Sequence, residues 1–288
     1  MNFLFSVPAL NPRQLTGPLV VETHNDDWEW YQNLARASRA PWVRWLCSGA
    51  VRHSARNLAS LPVGTLMVHV SSSDAEAYRR RRPDLQHVVI ENGTDLRPRR
   101  SRPRNDPDRP RVLLFVGSLS SRMNQDGLAH FASHFWPSLR SGATFRVVGS
   151  RPPKALEHWI ERQGWELSAD VSETDLDRLY EEAHFAVLPF AYGAGSKLKL
   201  IEACGRGVPV LTTVAGRVGF PALPAAVLVS DDPGAWSARV SGLDGWIGGN
   251  HGEEDLIQFA RAFEWRVLAD RLLKEVENVF SGKSCLRS

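Results

Sequence analysis

The segment GAGSKLKLIEACGRGVPVLTT (193–213) combines a glycine-rich turn, two lysines and one glutamate, Glu202, on an otherwise apolar helix face. Apolar runs flank it, HFAVLPF (184–190) before and VPVLTT (208–213) after. This pattern predicts strand, loop, helix and strand, with Ser196 as the N-cap of the helix and a glycine at its end. In such a unit the start of the helix offers free backbone N–H groups to an anion. The chemistry favours a phosphate ligand.

The elements around this segment predict a doubly wound α/β domain over residues 111–262. Strands alternate with helices, and the strands are continuous apolar runs, as a parallel sheet covered on both faces requires. The first helix carries an apolar stripe at helical spacing. That stripe consists of Leu128, Phe131, Phe135 and Leu139. The predicted strands are RVLLFVG (111–117), FRVVG (145–149), WELSADV (165–171), 184–190, 208–213 and AAVLVSDD (225–232).

Residues 1–96 predict a second, shorter α/β domain. Its predicted strands are NFLFSV (2–7), LVVETH (19–24), TLMVHVS (65–71) and HVVIENG (87–93). The arginine- and proline-rich stretch 97–110 predicts a linker, which is either a solvated connector or a patch that attracts anionic lipid or a phosphate-bearing acceptor. An amphipathic pattern from Phe263 onward predicts a C-terminal helix within 263–288.

Composition excludes several classes of protein. The chain has 288 residues, of which 43% are hydrophobic, yet no apolar run approaches the roughly 18 to 20 residues that span a bilayer. The first residues lack the features of a signal peptide, so we expect the cytoplasm, including the inner face of the membrane. The three cysteines are scattered along the chain, which favours reduced thiols. The net charge is only +3, and we expect no nucleic-acid partner.

Two matches to an aspartate pair spaced by one residue do not predict a metal site. Asp106 and Asp108 lie among prolines and arginines, whereas Asp175 and Asp177 suit the negatively charged start of a helix. No G-x-G-x-x-G fingerprint follows a strand, which argues against a dinucleotide dehydrogenase. We therefore expect neither a metal nor another cofactor.

Several motifs together resemble a known family. Segment 193–213, with FVGSLSSRMNQDGLAHF, VHVSSSDAEAY and VIENGTDL in the expected order, is similar to retaining family 4 (group 1) glycosyltransferases of the GT-B fold. The resemblance implies two Rossmann-like doubly wound domains with a nucleotide-sugar cleft between them, here with a shortened N-terminal domain. It also implies that Glu202 binds the ribose, because a carboxylate accepts two hydrogen bonds from a vicinal diol. The alternative is a structural pairing of Glu202 with Lys199 or Arg206.

The resemblance further implies two phosphate-binding elements. Lys197 and the amides at the start of its helix would hold the diphosphate, and Arg122 would help to neutralise it from the turn after the first strand of the domain. The alternative for Arg122 is an exposed residue at a helix start. Family members often carry an acidic residue where this chain has Ala194, which leaves the donor sugar open. The implied nucleotide-sugar ligands are Gly117, Ser118, Arg122, Gly193, Gly195, Ser196, Lys197 and Glu202.

The shorter domain contributes the remaining candidates. His24 ends the strand 19–24, where the resemblance implies a catalytic histidine near the donor sugar; the alternative is a structural hydrogen-bonding histidine. Asn92 and Gly93 match a cleft-lining turn of the family, or form a tight turn only.

The function implied is transfer of a sugar from a nucleotide-diphosphate sugar to a hydroxyl acceptor with retention. We expect a role in polysaccharide, glycolipid or secondary-metabolite biosynthesis. The alternative is a catalytically silent homologue that acts as a binding subunit of an active transferase. Because the N-terminal domain lacks the usual first strands, we also expect a second copy, a partner chain or an upstream start to supply what its sheet edge needs. Peripheral contact with a membrane surface is a further expectation.

Overall fold

The computed structural model describes residues 17–23, 26–37, 40–103, 106, 108–192, 197–220, 222–242 and 251–281. The chain divides into two compact units. Unit 1 comprises Met1–Asn92 and Arg266–Ser288, and unit 2 comprises Gly93–Trp265. Within the described ranges no helix has the length and apolar character needed to cross a bilayer.

Unit 1 contains a parallel sheet of three described strands. They are β1 (Val20–Thr23), β2 (Leu66–His69) and β3 (Gln86–Val89), in the spatial order β1-β2-β3. The helices between them are α1 (Asp27–Ala37), α2 (Pro41–Ser60) and α3 (Ser72–Arg81). A small core of Val21, Leu58, Leu61, Met67, Tyr78 and Leu85 joins the helices to the sheet. The predicted strand 2–7 lies outside the described residues.

Unit 2 is built on a six-stranded parallel sheet in the order β6-β5-β4-β7-β8-β9. The strands are β4 (Arg111–Val116), β5 (Ala143–Gly149), β6 (Glu166–Ala169), β7 (Phe185–Leu188), β8 (Val210–Thr212) and β9 (Val227–Val229). The helices are α4 (Arg122–His130), α5 (Trp136–Leu139), α6 (Lys154–Arg162), α7 (Glu173–Glu182), α8 (Lys197–Gly205), α9 (Pro233–Ser241) and α10 (His251–Arg261). The predicted alternation of strands and helices is present, and the strand order reverses between β4 and β7.

The first helix of unit 2 is interrupted, whereas the sequence predicts one continuous helix. A π-helical segment, Phe131–Phe135, separates α4 from α5, and the Trp136 amide donates to the Phe131 carbonyl. The wide turn lies just before Pro137, which has no N–H to donate to a preceding carbonyl. The predicted apolar stripe is nevertheless fully buried, and the Phe131 ring lies 4.3 Å from that of Phe145.

Part of the predicted linker packs within unit 2. Arg97 forms an ion pair with Glu173 at 2.7 Å. The side chain of Arg99 is only 3% exposed; it pairs with Glu253 at 3.2 Å and donates to the Ala183 carbonyl at 3.0 Å. The acidic partners come from distant helices, so the arginine run alone could not indicate this burial. Neither a solvated connector nor a lipid-facing patch describes Arg99, and the compact units divide at residue 92 instead of within 97–110.

The last helix, α11 (Trp265–Ser281), contributes all but its first residue to unit 1. Arg271 donates to the Glu91 carboxylate at 3.0 Å and to the Val89 carbonyl at 3.2 Å. Leu268, within the predicted amphipathic pattern, is buried, whereas Val267 is exposed. The helix thus returns to the strand that ends the N-terminal part of the chain.

Candidate functional site

The strand order of unit 2 locates its ligand-binding edge. In a doubly wound parallel sheet, ligands bind outside the carboxyl ends of the strands at the point where the strand order reverses. Here that point lies between β4, which continues into Gly117, and β7, which leads towards the start of α8. The start of α8 and the turn after β4 therefore lie at the same edge of the sheet.

Lys199 is a partly buried cation at this edge. Its ammonium donates to Asn124 Oδ1 and lies 5.3 Å from the centre of the Phe115 ring and 5.2 Å from that of Phe190. In the described part of the chain, no carboxylate oxygen forms an ion pair with Lys199. Burial lowers the pKa of the ammonium to about 8, although the nearby charge of Glu202 acts in the opposite direction. Because a partly buried cation without a carboxylate partner is costly, this position favours binding of an anionic ligand.

Gly117 makes room for this lysine. A Cβ atom at position 117 would lie 2.6 Å from Lys199 Nζ and 3.0 Å from Asn124 Nδ2. The Asn124 side chain also donates to the Ser118 carbonyl at 2.7 Å, which fixes the turn after β4. We call Gly117, Ser118, Asn124 and Lys199 the switch-point cluster. It joins the turn after β4 to the first turn of α8.

Glu202 follows Lys199 on α8, close to the switch-point cluster. Burial raises the pKa of its carboxyl group, and the charges of Arg206, Lys199 and Arg97 oppose that effect. Arg206 pairs with Asp177 at 3.2 Å and lies 4.4 Å from the Tyr180 ring centre. Among the described residues, neither Lys199 nor Arg206 forms an ion pair with Glu202. Its binding of ribose stays a prediction.

Arg122 lies at the start of α4 with its side chain 83% exposed. It pairs with Asp126 at 2.9 Å, and the Tyr192 hydroxyl donates to the same carboxylate at 2.6 Å. This placement matches the alternative of an exposed helix-start residue, because the surface ion pair satisfies the guanidinium away from the switch-point cluster. A role of Arg122 in binding diphosphate stays a prediction.

Several predicted site residues lie outside the described part of the chain. These are His24, Gly193, Gly195 and Ser196. Lys197 begins α8, but its side chain is likewise outside it. Asn92 ends the N-terminal segment of unit 1 and Gly93 begins unit 2. The roles of all seven residues stay predictions.

In unit 1 the described histidine at a strand end is His69, which the sequence analysis did not single out. Thr23 Oγ1 lies 2.8 Å from His69 Nδ1, and His69 Nε2 lies 2.9 Å from His87 Nδ1. Burial and the neighbouring charges of His87 and Arg79 lower the pKa of His69 to about 3. His69 is therefore a neutral, hydrogen-bonded core histidine at neutral pH.

Backbone strain marks the same edge of the unit 2 sheet. Arg151 and Asp170, which follow β5 and β6, have positive φ angles of 53° and 51°. The Arg151 amide donates to Asp170 Oδ1 at 3.0 Å. Strained non-glycine residues are concentrated at functional sites. No local sequence pattern indicates this pair, whereas the spacing of Lys199 and Glu202, three residues apart on one helix, could have indicated Lys199.

Comparisons with known proteins agree with this geometry. Residues 110–243 match the family model described as glycosyl transferases group 1. No curated protein sequence matches the chain. The fold is similar to sucrose-phosphate synthase from Thermosynechococcus elongatus, with 18% identity and a TM-score of 0.68 over 98% of this chain and 73% of that one.

Two further solved structures are similar. One is WaaG, a glycosyltransferase involved in lipopolysaccharide biosynthesis, with 17% identity and a TM-score of 0.57 over 95% of this chain and 80% of that one. The other is the pneumococcal O-GlcNAc transferase GtfA, with 17% identity and a TM-score of 0.55 over 80% of this chain. The match spans 48% of the GtfA chain, about half its length.

Residues 110–243 of this chain are therefore similar to the glycosyl transferases group 1 domain. The predicted α/β, GT-B-like fold class is confirmed, and the activity to which this domain points is sugar transfer.

The close approach of two glycines at the site gives a first prediction. A Cβ on Gly149 would lie 1.9 Å from the Gly117 carbonyl oxygen, so Gly149→Ala must push the turn after β4 away from β5. We expect the free energy of unfolding in urea to fall by roughly 1–3 kcal/mol. We also expect nucleoside-diphosphate binding to weaken by at least about tenfold, since the displaced turn carries part of the switch-point cluster.

Gly142→Ala is the matched control, because a Cβ at that position, just before the same strand, has no neighbouring atom within 4 Å. It should keep wild-type stability and affinity. Equal behaviour of the two variants would show that the contact between Gly149 and Gly117 does not shape the site.

Proposed function

We propose that this protein transfers a sugar from a nucleotide-diphosphate sugar to a hydroxyl acceptor with retention of configuration. The observation that carries the proposal is the partly buried ammonium of Lys199, which has no carboxylate partner among the described residues, at the strand-order reversal of the domain that matches glycosyl transferases group 1. A buried charge without an opposite charge is costly, and a diphosphate would supply the compensation. The leaving group of such a donor is this same anion.

Each residue of the site then has a distinct task. Lys199, Lys197 and the free amides at the start of α8 would offset the charge that develops on the departing diphosphate. Glu202 would accept hydrogen bonds from the ribose hydroxyls, for which a partly buried carboxylate is suited. Gly117 would let the diphosphate approach the backbone. In this proposal these cationic groups take the place of a metal ion.

In the proposed reaction, the acceptor hydroxyl attacks the anomeric carbon of the donor sugar from the same face from which the nucleotide departs. The acceptor oxygen bonds to the anomeric carbon while the bond from that carbon to the diphosphate oxygen breaks. The acceptor proton passes to the departing phosphate, so no protein nucleophile is required. His24 would contact the donor sugar, and the acceptor would be a precursor of a polysaccharide, glycolipid or secondary metabolite.

A panel of UDP, GDP and dTDP sugars tests the activity with the full chain. We expect one nucleotide class to bind by calorimetry and to be hydrolysed slowly, with release of the nucleoside diphosphate. Binding with no hydrolysis, and no transfer to simple hydroxyl acceptors, would favour the catalytically silent binding subunit. Absence of binding to every member of the panel would contradict both functions.

Variants test the assigned ligands. Glu202→Ala, Lys197→Ala and Lys199→Met should each weaken nucleotide binding by roughly 1.5–3 kcal/mol, the range for a hydrogen bond to a charged group. Lys154→Met, on a side chain that is 88% exposed on α6, is the control and should bind as the wild type does. Wild-type affinity in the variants of α8 would contradict the site.

The pH dependence of binding tests Lys199 separately. Its pKa in the free protein is about 8, so the ammonium is charged below that pH and loses its charge as pH rises through it. Because only the charged form attracts the diphosphate, affinity for the nucleotide sugar should be full near pH 7 and fall by about tenfold towards pH 9.5. In Lys199→Met this fall should disappear. An equal fall in both proteins would assign the titration to another group.

A further inference from the structure

The outward side of the first two helices of unit 1 carries an unusual set of exposed side chains. Trp42 and Trp45 on α2 are 65% and 71% exposed. Leu46 beside them, and Trp30 and Leu34 on α1, are also exposed. Because α1 and α2 pack against each other, these apolar side chains belong to one helical pair. Exposed aromatic side chains in such number mark an interaction surface.

Arginines continue the tryptophan stripe along α2. At 3.6 residues per turn, Trp42, Trp45, Arg52 and Arg56 fall on one side of the helix, and both arginines are exposed. The opposite side carries Cys47, Ser54, Asn57 and Leu58, which are buried. The helix thus has a buried side and a side that is aromatic at its start and cationic further along.

The charge of α2 discriminates between possible occupants of this surface. Pro41–Ser60 contains three arginines and no aspartate or glutamate. A second copy would bring no acidic residue on its own α2, and the exposed acid nearest to that helix in sequence is Glu29 on α1. An anionic bilayer instead attracts arginine and accepts tryptophan at the level of its headgroups.

We propose that this surface, the tryptophan–arginine face, binds peripherally to an anionic lipid bilayer. It consists of Trp30, Leu34, Trp42, Trp45, Leu46, Arg52 and Arg56. The helix α2 would lie in the plane of the interface, with the tryptophans among the headgroups and the arginines on lipid phosphates. The arginine- and proline-rich stretch is not this surface, since Arg97 and Arg99 are held by carboxylates of unit 2. The proposal goes beyond the transferase function.

Flotation of the full chain with lipid vesicles tests the proposal. The wild type should float with vesicles of phosphatidylcholine mixed with phosphatidylglycerol, less with phosphatidylcholine alone, and less again at high salt. Trp42→Ser with Trp45→Ser, and separately Arg52→Glu with Arg56→Glu, should each lower the partition coefficient by at least about tenfold. The controls are Val63→Ser and Arg109→Glu, which change exposed side chains elsewhere and should float as the wild type does.

Quenching of tryptophan fluorescence in the wild type tests the same proposal without depending on how the variants fold. Phosphatidylglycerol brominated in its acyl chains should quench part of the tryptophan fluorescence, because the exposed tryptophans would sit at the lipid. Absence of flotation or of quenching with anionic vesicles overturns the proposal. So does equal flotation of the wild type and the variants of the face. A smaller particle in light scattering for those variants would assign the face to a second copy and also overturn it.

Discussion

The site depends on holding one ammonium group, that of Lys199, partly buried beside Asn124 and two aromatic rings at the edge of the unit 2 sheet. Burial disfavours the charged form, and Asn124 and two aromatic rings provide the only close polar and π contacts among the described residues. Such an arrangement costs stability in the empty protein. A ligand that brings the missing negative charge would offset this cost, and in the proposed function that ligand is a nucleoside diphosphate.

The surrounding structure can be understood from this constraint. Gly117 leaves the space into which the end of the Lys199 side chain extends, and Gly149 must lack a side chain because the Gly117 carbonyl is already there. The strand order that brings the end of β4 beside the end of β7 puts this turn next to the start of α8. The start of α8 would reinforce the lysine, since a helix N-terminus and an ammonium group both favour an anion.

The sequence predicted much of this arrangement, for identifiable reasons. Continuous apolar strands alternating with amphipathic helices determine a doubly wound sheet, and the glycine-rich loop before α8 indicates where an anion binds. Lys199 was considered only as a salt-bridge partner, because its burial arises from Asn124, which is 75 residues away. The packing of Arg99 similarly depends on Glu253, 154 residues away. Contacts between residues so far apart in the chain depend on which elements the fold brings together, and they leave no pattern in the local sequence. The π-helical segment before Pro137 is a local irregularity that helical spacing does not reveal.

Hydrogen exchange of the backbone amides, with and without the nucleoside diphosphate that binds, tests the central claim most directly. We expect the backbone amides of the turn 117–122 and of the first turns of α8, 197–202, to exchange more slowly when the nucleoside diphosphate is bound, and those of α2 to be unchanged. Exchange that slows elsewhere in the chain but is unchanged in both of these segments would contradict it, because the switch-point cluster would then not be the nucleotide site.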